Sequence, residues 1–269
     1  LLLPVLCTIL FILYSLGSSP PSASIAHSSR LSAQHPQGSL NLDLTPSLPY
    51  YLSKLDTSLR EAFASSPHLS SSPYPAPLYP SLLSPSLESR YAHLIPSHPS
   101  QNHTSFRHAP KRRHYHLTTS LINVSPLTPT LFASLFHTIL LLSPSQISLS
   151  IIEGPSNDGT SHLIESVLCP LLLEMGVDPL ALHVVTRRPK VDFANGNRIE
   201  LLAKLREEAM VPFWRSRRVG RGREDVEDEV VVFFNDVYWS AGMMMELIHQ
   251  HVTQGSDMTC AWDLLWGNE

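Results

Sequence analysis

The chain has 269 residues, of which 43% are hydrophobic and 16% charged, and its formal net charge is −4. That is enough for one good-sized core with accessory segments, and the mild charge excludes an electrostatic footprint for nucleic acid. Three cysteines, Cys7, Cys169 and Cys260, stand too far apart for a metal-type spacing or a disulfide framework.

Residues 1–16 are almost wholly apolar. A membrane span takes about 20 such residues, and the chain opens on Leu, so this run reads as a truncated transmembrane signal-anchor. A signal-peptide core is the rival, with small residues after Gly17 as a cleavage site. Either reading places the remainder in the secretory lumen or outside, where the sequon Asn102-His103-Thr104 fits. Asn123-Val124-Ser125 is a weaker sequon because Pro126 follows it.

Residues 17–110 hold most of the prolines, many serines and few acids. Stretches such as Ser70-Ser71-Ser72-Pro73-Tyr74-Pro75 cannot bury enough apolar surface to offset chain entropy, so the segment reads as a Ser/Pro-rich disordered stem. Within it, Tyr51, Leu52, Leu55, Leu59 and Phe63 share one face at helical spacing. That spacing predicts a short amphipathic helix packed on the main domain.

From 111 to 269 the pattern alternates. A strand is predicted over 116–124. Ser125-Pro126 reads as a cap followed by proline at the first helical position, with the helix running to Leu142. A strand over 147–152 leads through a polar turn into a helix over 160–175, kinked at Pro170 and stopped by Gly176. Next come a strand over 182–186 and a helix over 198–214 with Ile199, Leu202, Leu205 and Ala209 on one face. The basic run 215–223 and acidic run 224–229 read as a solvated loop. The run from Val230 to Phe234 is apolar and β-rich, the pattern of a parallel strand covered on both faces. Ser240 caps a helix ending at Gly255, and 257–261 begins another strand. Alternating strands and helices imply βαβ units and a mostly parallel sheet in a three-layer α/β sandwich. The chain stops soon after its last strand, so the domain reads as C-terminally incomplete.

In such a sheet, ligands bind beyond the carboxyl ends of the strands. Three loops there carry candidate chemistry. Glu153, Ser156 and Asp158 follow one strand. Carboxylates at that edge accept hydrogen bonds from a ribose or a base, but the same residues also suit a turn and a helix cap. Asn235 and Asp236 follow another. A divalent metal bridging Asp236 and a diphosphate would stabilise the charge of a leaving group, with Asn235 orienting it or holding the metal's waters; a strand-end turn is the plain alternative. Asp263 follows the last strand, where a carboxylate can position or deprotonate an acceptor hydroxyl. His108, His114 and His116 cluster at the stem boundary; two histidines two apart on a strand face one side and could hold a metal, but with no acidic partner nearby a solvated role is expected. Cys260 and Met243-Met244-Met245 read as core. There is no Gly-x-Gly-x-x-Gly, no Walker-type loop and no Gly-x-Ser-x-Gly elbow.

Four stretches, in this order, carry a resemblance: Glu153-Gly154-Pro155-Ser156-Asn157-Asp158-Gly159-Thr160, Arg198-Ile199-Glu200-Leu201-Leu202-Ala203-Lys204-Leu205-Arg206, Val232-Phe233-Phe234-Asn235-Asp236-Val237, and Asp257-Met258-Thr259-Cys260-Ala261-Trp262-Asp263. Together they resemble the fungal capsule-associated mannosyltransferases, the cryptococcal α-1,3-mannosyltransferase family (glycosyltransferase family 69). The resemblance implies a GT-A-like nucleotide-binding fold and transfer of mannose from GDP-mannose to a mannoside or glycan acceptor, in cell-wall or capsule synthesis. It also implies a divalent metal such as Mn2+ and a single-pass type II Golgi membrane protein with a lumenal catalytic domain. Carried over residue by residue, Glu153, Ser156 and Asp158 would line the nucleotide site, and Arg198 and Arg206 would contact the donor. Asp236, with Asn235, would take the metal position, and Asp263 would be the catalytic residue on the acceptor side. Three features depart from the family pattern: Glu207 where it places Asn, Gly154-Pro155 where it has Ser-Gly, and the 215–229 insertion. They keep a second class in view, a non-catalytic membrane-anchored accessory or glycan-binding protein that retains the fold.

Overall fold

The structure, a computed structural model, describes residues 12–15, 48–66, 69, 89–96, 113–189, 191, 195–218 and 228–260. Six strands form one sheet: β1 (Ile12–Ser15), β2 (Arg113–Leu121), β3 (Ile147–Glu153), β4 (Leu182–Val185), β5 (Asp228–Phe234) and β6 (Met258–Thr259). Their spatial order is β4-β3-β2-β5-β1-β6. The central four are parallel, while β1 runs antiparallel to β5 and β6 antiparallel to β1. The chain lays β2 down first, moves outward to β3 and β4, then returns to the other side of β2 with β5. That reversal opens a crevice between the carboxyl ends of β2 and β5.

Helices cover both faces. They are α1 (Leu48–Ser65), α2 (Thr128–Leu142), α3 (Thr160–Leu163), α4 (Cys169–Glu174), α5 (Arg198–Arg218) and α6 (Ala241–Gln254). Tyr115, Leu117, Leu149, Ile151, Val230, Val232 and Phe234 point to one face and share a core with every helix except α5. Phe132, Ala133, Phe136 and Ile139 of α2 are fully buried there, each larger side chain contributing about 1.5–3 kcal/mol. A helix apolar on nearly all sides must be enclosed, and α2 is, between the sheet, α1 and α6.

The opposite face is polar under α5. Alternation in β2 and β3 turns His114, His116, Thr118, Ser148 and Ser150 that way. Thr118 Oγ1 donates to the Ala209 carbonyl at 3.2 Å, and the rings of His116 and Phe213 lie 4.7 Å apart. Ile152, Phe233 and Ala209 make a small apolar cluster beside them. The solvated role expected for the two histidines is corrected here, because both are buried. An acidic partner also exists: His116 Nε2 lies 3.6 Å from Glu229 of the neighbouring strand, a proximity that only strand pairing creates.

Other differences have local causes. Pro170 was expected to kink one helix. Instead a π turn (Ile164–Leu168) joins α3 to α4. A proline ring crowds the carbonyl four residues back, here Ser166, and the wider turn makes room for it. Gly176, with φ +92°, closes α4 as expected: Val177 N donates to Leu172 O and Gly176 N to Leu173 O. Helix α2 starts at Thr128 with Leu127 at its N-cap position, two residues too late for Ser125 to cap it; the Ser125 N–H donates to Asp158. Ile199, expected on the covered face of α5, is 79% exposed. It lies roughly 15 Å along the helix before Ala209, whereas β2 extends only about 10 Å beyond Thr118. The first turn of α5 therefore overhangs the sheet.

The helix expected within 17–110 is α1, and Tyr51, Leu55, Leu59 and Phe63 are its buried face. More of that stretch is folded than its composition suggests. Leu69, Tyr91 and Leu94 are buried in the same core. Arg90 grips Glu246 of α6 with two nitrogens at 2.8 and 2.9 Å, and Tyr91 adds its hydroxyl at 2.8 Å. Of the apolar run 1–16, the described part is β1. No helix among the described residues is long and apolar enough to cross a membrane. The sequon at Asn102 lies outside the described residues, as does most of the 215–229 stretch.

Candidate functional site

The carboxyl edge of the parallel strands is built from three loops. Those after β2 and β3 are laced together. Asn123 N donates to Ser156 Oγ at 2.9 Å, and Asn157 N to Asn123 Oδ1 at 3.0 Å. Val124 N donates to Thr160 Oγ1 at 2.9 Å, and Ser125 N to Asp158 Oδ2 at 2.8 Å. Asn123 is held at φ +53°, a left-handed conformation that Asn tolerates better than most residues. Gly159, at φ +86°, opens α3, and a Cβ there would come within 2.7 Å of the Leu69 side chain.

Glu153, at the end of β3, is fully buried. Its carboxylate accepts from Arg187 N at 2.7 Å and Ser156 N at 3.3 Å. It thus joins its own loop to the one after β4, where Arg187 stands at φ +57°. Asp158 accepts from Thr160 N and Thr160 Oγ1 at 3.0 and 2.7 Å through its second oxygen. Burial pushes the Asp158 carboxyl up, but the hydrogen bonds from Thr160 and Ser125 outweigh it and hold it below its ordinary value. Ser156 Oγ keeps its own proton available to a ligand while accepting from Asn123. Beside this loop opens a cavity of about 650 Å³, walled by Ser156, Asn157, Ser161, His162 and Arg187, with the end of α1 opposite.

The third loop differs. Asp236 is exposed, follows β5 directly, and has no hydrogen-bond or ion-pair partner among the described residues. Nor does it cap α6, since Ser240 Oγ does that by accepting from Met243 N. Arg206 reaches the same end of β5 from α5, its guanidinium 5.4 Å from the centre of the Phe233 ring, and it too has no carboxylate partner among the described residues. Arg198 is exposed on the overhanging first turn of α5, and Glu207 points to solvent. Asp263 lies outside the described residues.

Among the described residues, no group of three His, Cys, Asp or Glu side chains could cage a metal. A lone open carboxylate with a neighbouring carboxamide suits a hard cation that brings its own phosphate ligands, as Mg2+ and Mn2+ do. The donor set of Asn235 and Asp236 fits that arrangement and not a structural metal site. Sequence reasoning missed Asn123 and Arg187. The one available signal was an Asn near the end of the strand predicted over 116–124, which in fact ends at Leu121, since Asn favours left-handed turns.

Residues 114–268 match the family described as Cryptococcal mannosyltransferase 1. Over 155 residues the chain is 39% identical to the alpha-1,3-mannosyltransferase CMT1 of Cryptococcus neoformans var. neoformans serotype D, an overlap of 57% of this chain and 32% of that protein. The chain thus spans about a third of the length of this curated relative. No solved structure matches it. With more than half its length matched, and with the parallel sheet, the switch-point crevice and the Asn-Asp pair inside the matched stretch, the chain belongs to the cryptococcal mannosyltransferase 1 family.

Proposed function

We propose that this chain carries the donor-binding part of a glycosyltransferase that moves mannose from GDP-mannose to a mannoside or glycan acceptor, forming an α-1,3 linkage, with Mn2+ or a similar divalent metal. The observation that carries this reading is the exposed carboxylate of Asp236, unpartnered among the described residues, just past the end of β5, on the strand whose Phe233 ring Arg206 covers from α5. A metal on Asp236 and Asn235 would supply charge to offset the departing diphosphate. Arg206 and Arg198 would grip the donor phosphates or sugar from α5. Ser156 would meet the nucleoside end through its hydroxyl proton, and Glu153 and Asp158 would serve the nucleotide site by fixing the loop that carries it. Asp263 would act on the acceptor hydroxyl as the catalytic base. The protein would sit in the Golgi membrane through an N-terminal signal-anchor and a stem, as a single-pass type II protein with this domain in the lumen, serving cell-wall or capsule synthesis.

Titration calorimetry of the chain with GDP-mannose, with and without Mn2+, tests the reading. The expected result is binding that requires the metal and is lost on chelation. The rival reading, a non-catalytic accessory or glycan-binding protein, draws on Glu207 standing where the family pattern places Asn and expects no metal-dependent binding. That outcome would displace the transferase reading.

A further inference from the structure

The cavity beside the β3 loop has a wall that comes from outside the family-matched stretch. Ser66, directly after α1, lines it together with Ser156 and Ser161. Ser66 and Ser161 are only 8% and 9% exposed, and neither hydroxyl has a hydrogen-bond partner among the described residues. Both are therefore nine-tenths buried polar groups whose open side is the cavity.

Ser66 is held there by the fold. Its N–H donates to the Ala62 carbonyl at 3.0 Å, and its own carbonyl accepts from Leu69 N at 3.1 Å. Leu69 is 1% exposed and sits on Gly159, so closely that any side chain at 159 would collide with it. The short turn after α1 is thus registered against the loop that carries Ser156.

The chemistry of the walls selects among ligands. They offer serine hydroxyls, the Asn157 carboxamide and the His162 imidazole, and no carboxylate. The guanidinium of Arg187 is engaged by Glu165 at 2.9 Å. A nearly neutral, hydroxyl-rich wall pairs with hydroxyl groups and not with a cation or a second diphosphate. The end of β3, which carries the cavity's loop, lies two strand spacings from the end of β5, roughly 10 Å, so the cavity and Asp236 are served by loops on the same edge of the sheet. The cavity's volume is within the usual range for a small-molecule site.

We propose that Ser66, with Ser161, hydrogen-bonds the ribose hydroxyls of the nucleotide donor, so that the segment after α1 is a specificity-determining part of the donor site. This rests on the donor reading above. The test is calorimetry of the 269-residue chain with Mn2+ and either GDP or 2′,3′-dideoxy-GDP. Wild type is expected to prefer GDP. Ser66→Ala is expected to bind GDP roughly three- to tenfold more weakly, the worth of one net hydrogen bond, and to lose part of that preference. If wild type binds GDP but Ser66→Ala matches it for both ligands, this inference falls alone. Should Ser66→Ala fail to fold, equal binding of the two nucleotides by wild type overturns the inference by itself. No binding of GDP or GDP-mannose to wild type overturns the donor reading and the inference together.

Discussion

Two acidic loops leave the same edge of the sheet and do opposite work. After β3, Glu153 and Asp158 are both claimed by the protein: their oxygens receive the N–H groups of Ser125, Ser156, Thr160 and Arg187. After β5, Asp236 is exposed and accepts from nothing among the described residues. In sequence the loops looked alike, each a carboxylate just past an apolar strand. The difference teaches that a strand-end acid belongs to the fold where backbone N–H groups need it, and is available to a ligand where they do not.

The strongest way to break this contrast is Glu153→Ala. It would leave the Arg187 N–H without its acceptor, while Ser156 N keeps its bond to the Gly154 carbonyl at 2.8 Å, so the chain should lose about 1–3 kcal/mol in urea unfolding. A variant as stable as wild type would show that Glu153 holds nothing. Asp236→Ala should do the reverse: stability within about 0.5 kcal/mol of wild type, but Mn2+-dependent GDP-mannose binding down by about a hundredfold, or about 2.7 kcal/mol. Retained binding in that variant would remove Asp236 from the metal position.

Asp158 sharpens the contrast through pH. Its folded pKa is depressed, so its stabilisation is present above the ordinary carboxylate value of about 3.9 and is lost as pH falls through the lower folded value. Asp158→Asn should cost about 1–2 kcal/mol near neutral pH. Its melting temperature should then fall less than that of wild type between about pH 5 and pH 2. Parallel acid titrations of the two proteins would contradict the assignment. The smallest effect is expected at Arg206. Removing a cation stacked on Phe233 costs about 0.5–1 kcal/mol of stability, while donor affinity should fall roughly fivefold, about 1 kcal/mol. An unchanged affinity would assign Arg206 to packing alone.

Much of the fold was legible because its strands are buried on both faces. A continuous run such as Val230 to Phe234 has one plausible home, the middle of a parallel sheet, and Gly176, Ser240 and Gly255 marked helix ends through chemistry local to them. The contribution of 48–96 was less legible. The α1 face showed its period, but Leu69, Tyr91 and Leu94 are isolated apolar residues among serines and prolines, with no spacing to mark them as core. The same holds at the site. Ser156 and Asp236 were found as strand-end polar residues, whereas Ser66 stands far upstream, in a stretch whose composition argued against structure.

From residue 111 onward the sequence by itself determined the order of strands and helices, the edge at which polar residues gather, and the family, because these follow from local period, local capping and short ordered motifs; the strand β1 within the apolar run 1–16 it did not. Tertiary structure decided which acids remain available. That depends on which unpaired N–H groups other loops deliver: Ser125 meets Asp158, and Arg187 meets Glu153, only once β2, β3 and β4 lie side by side. It also decided that Ser66 faces the loop of Ser156, since that contact exists only through Leu69 resting on Gly159.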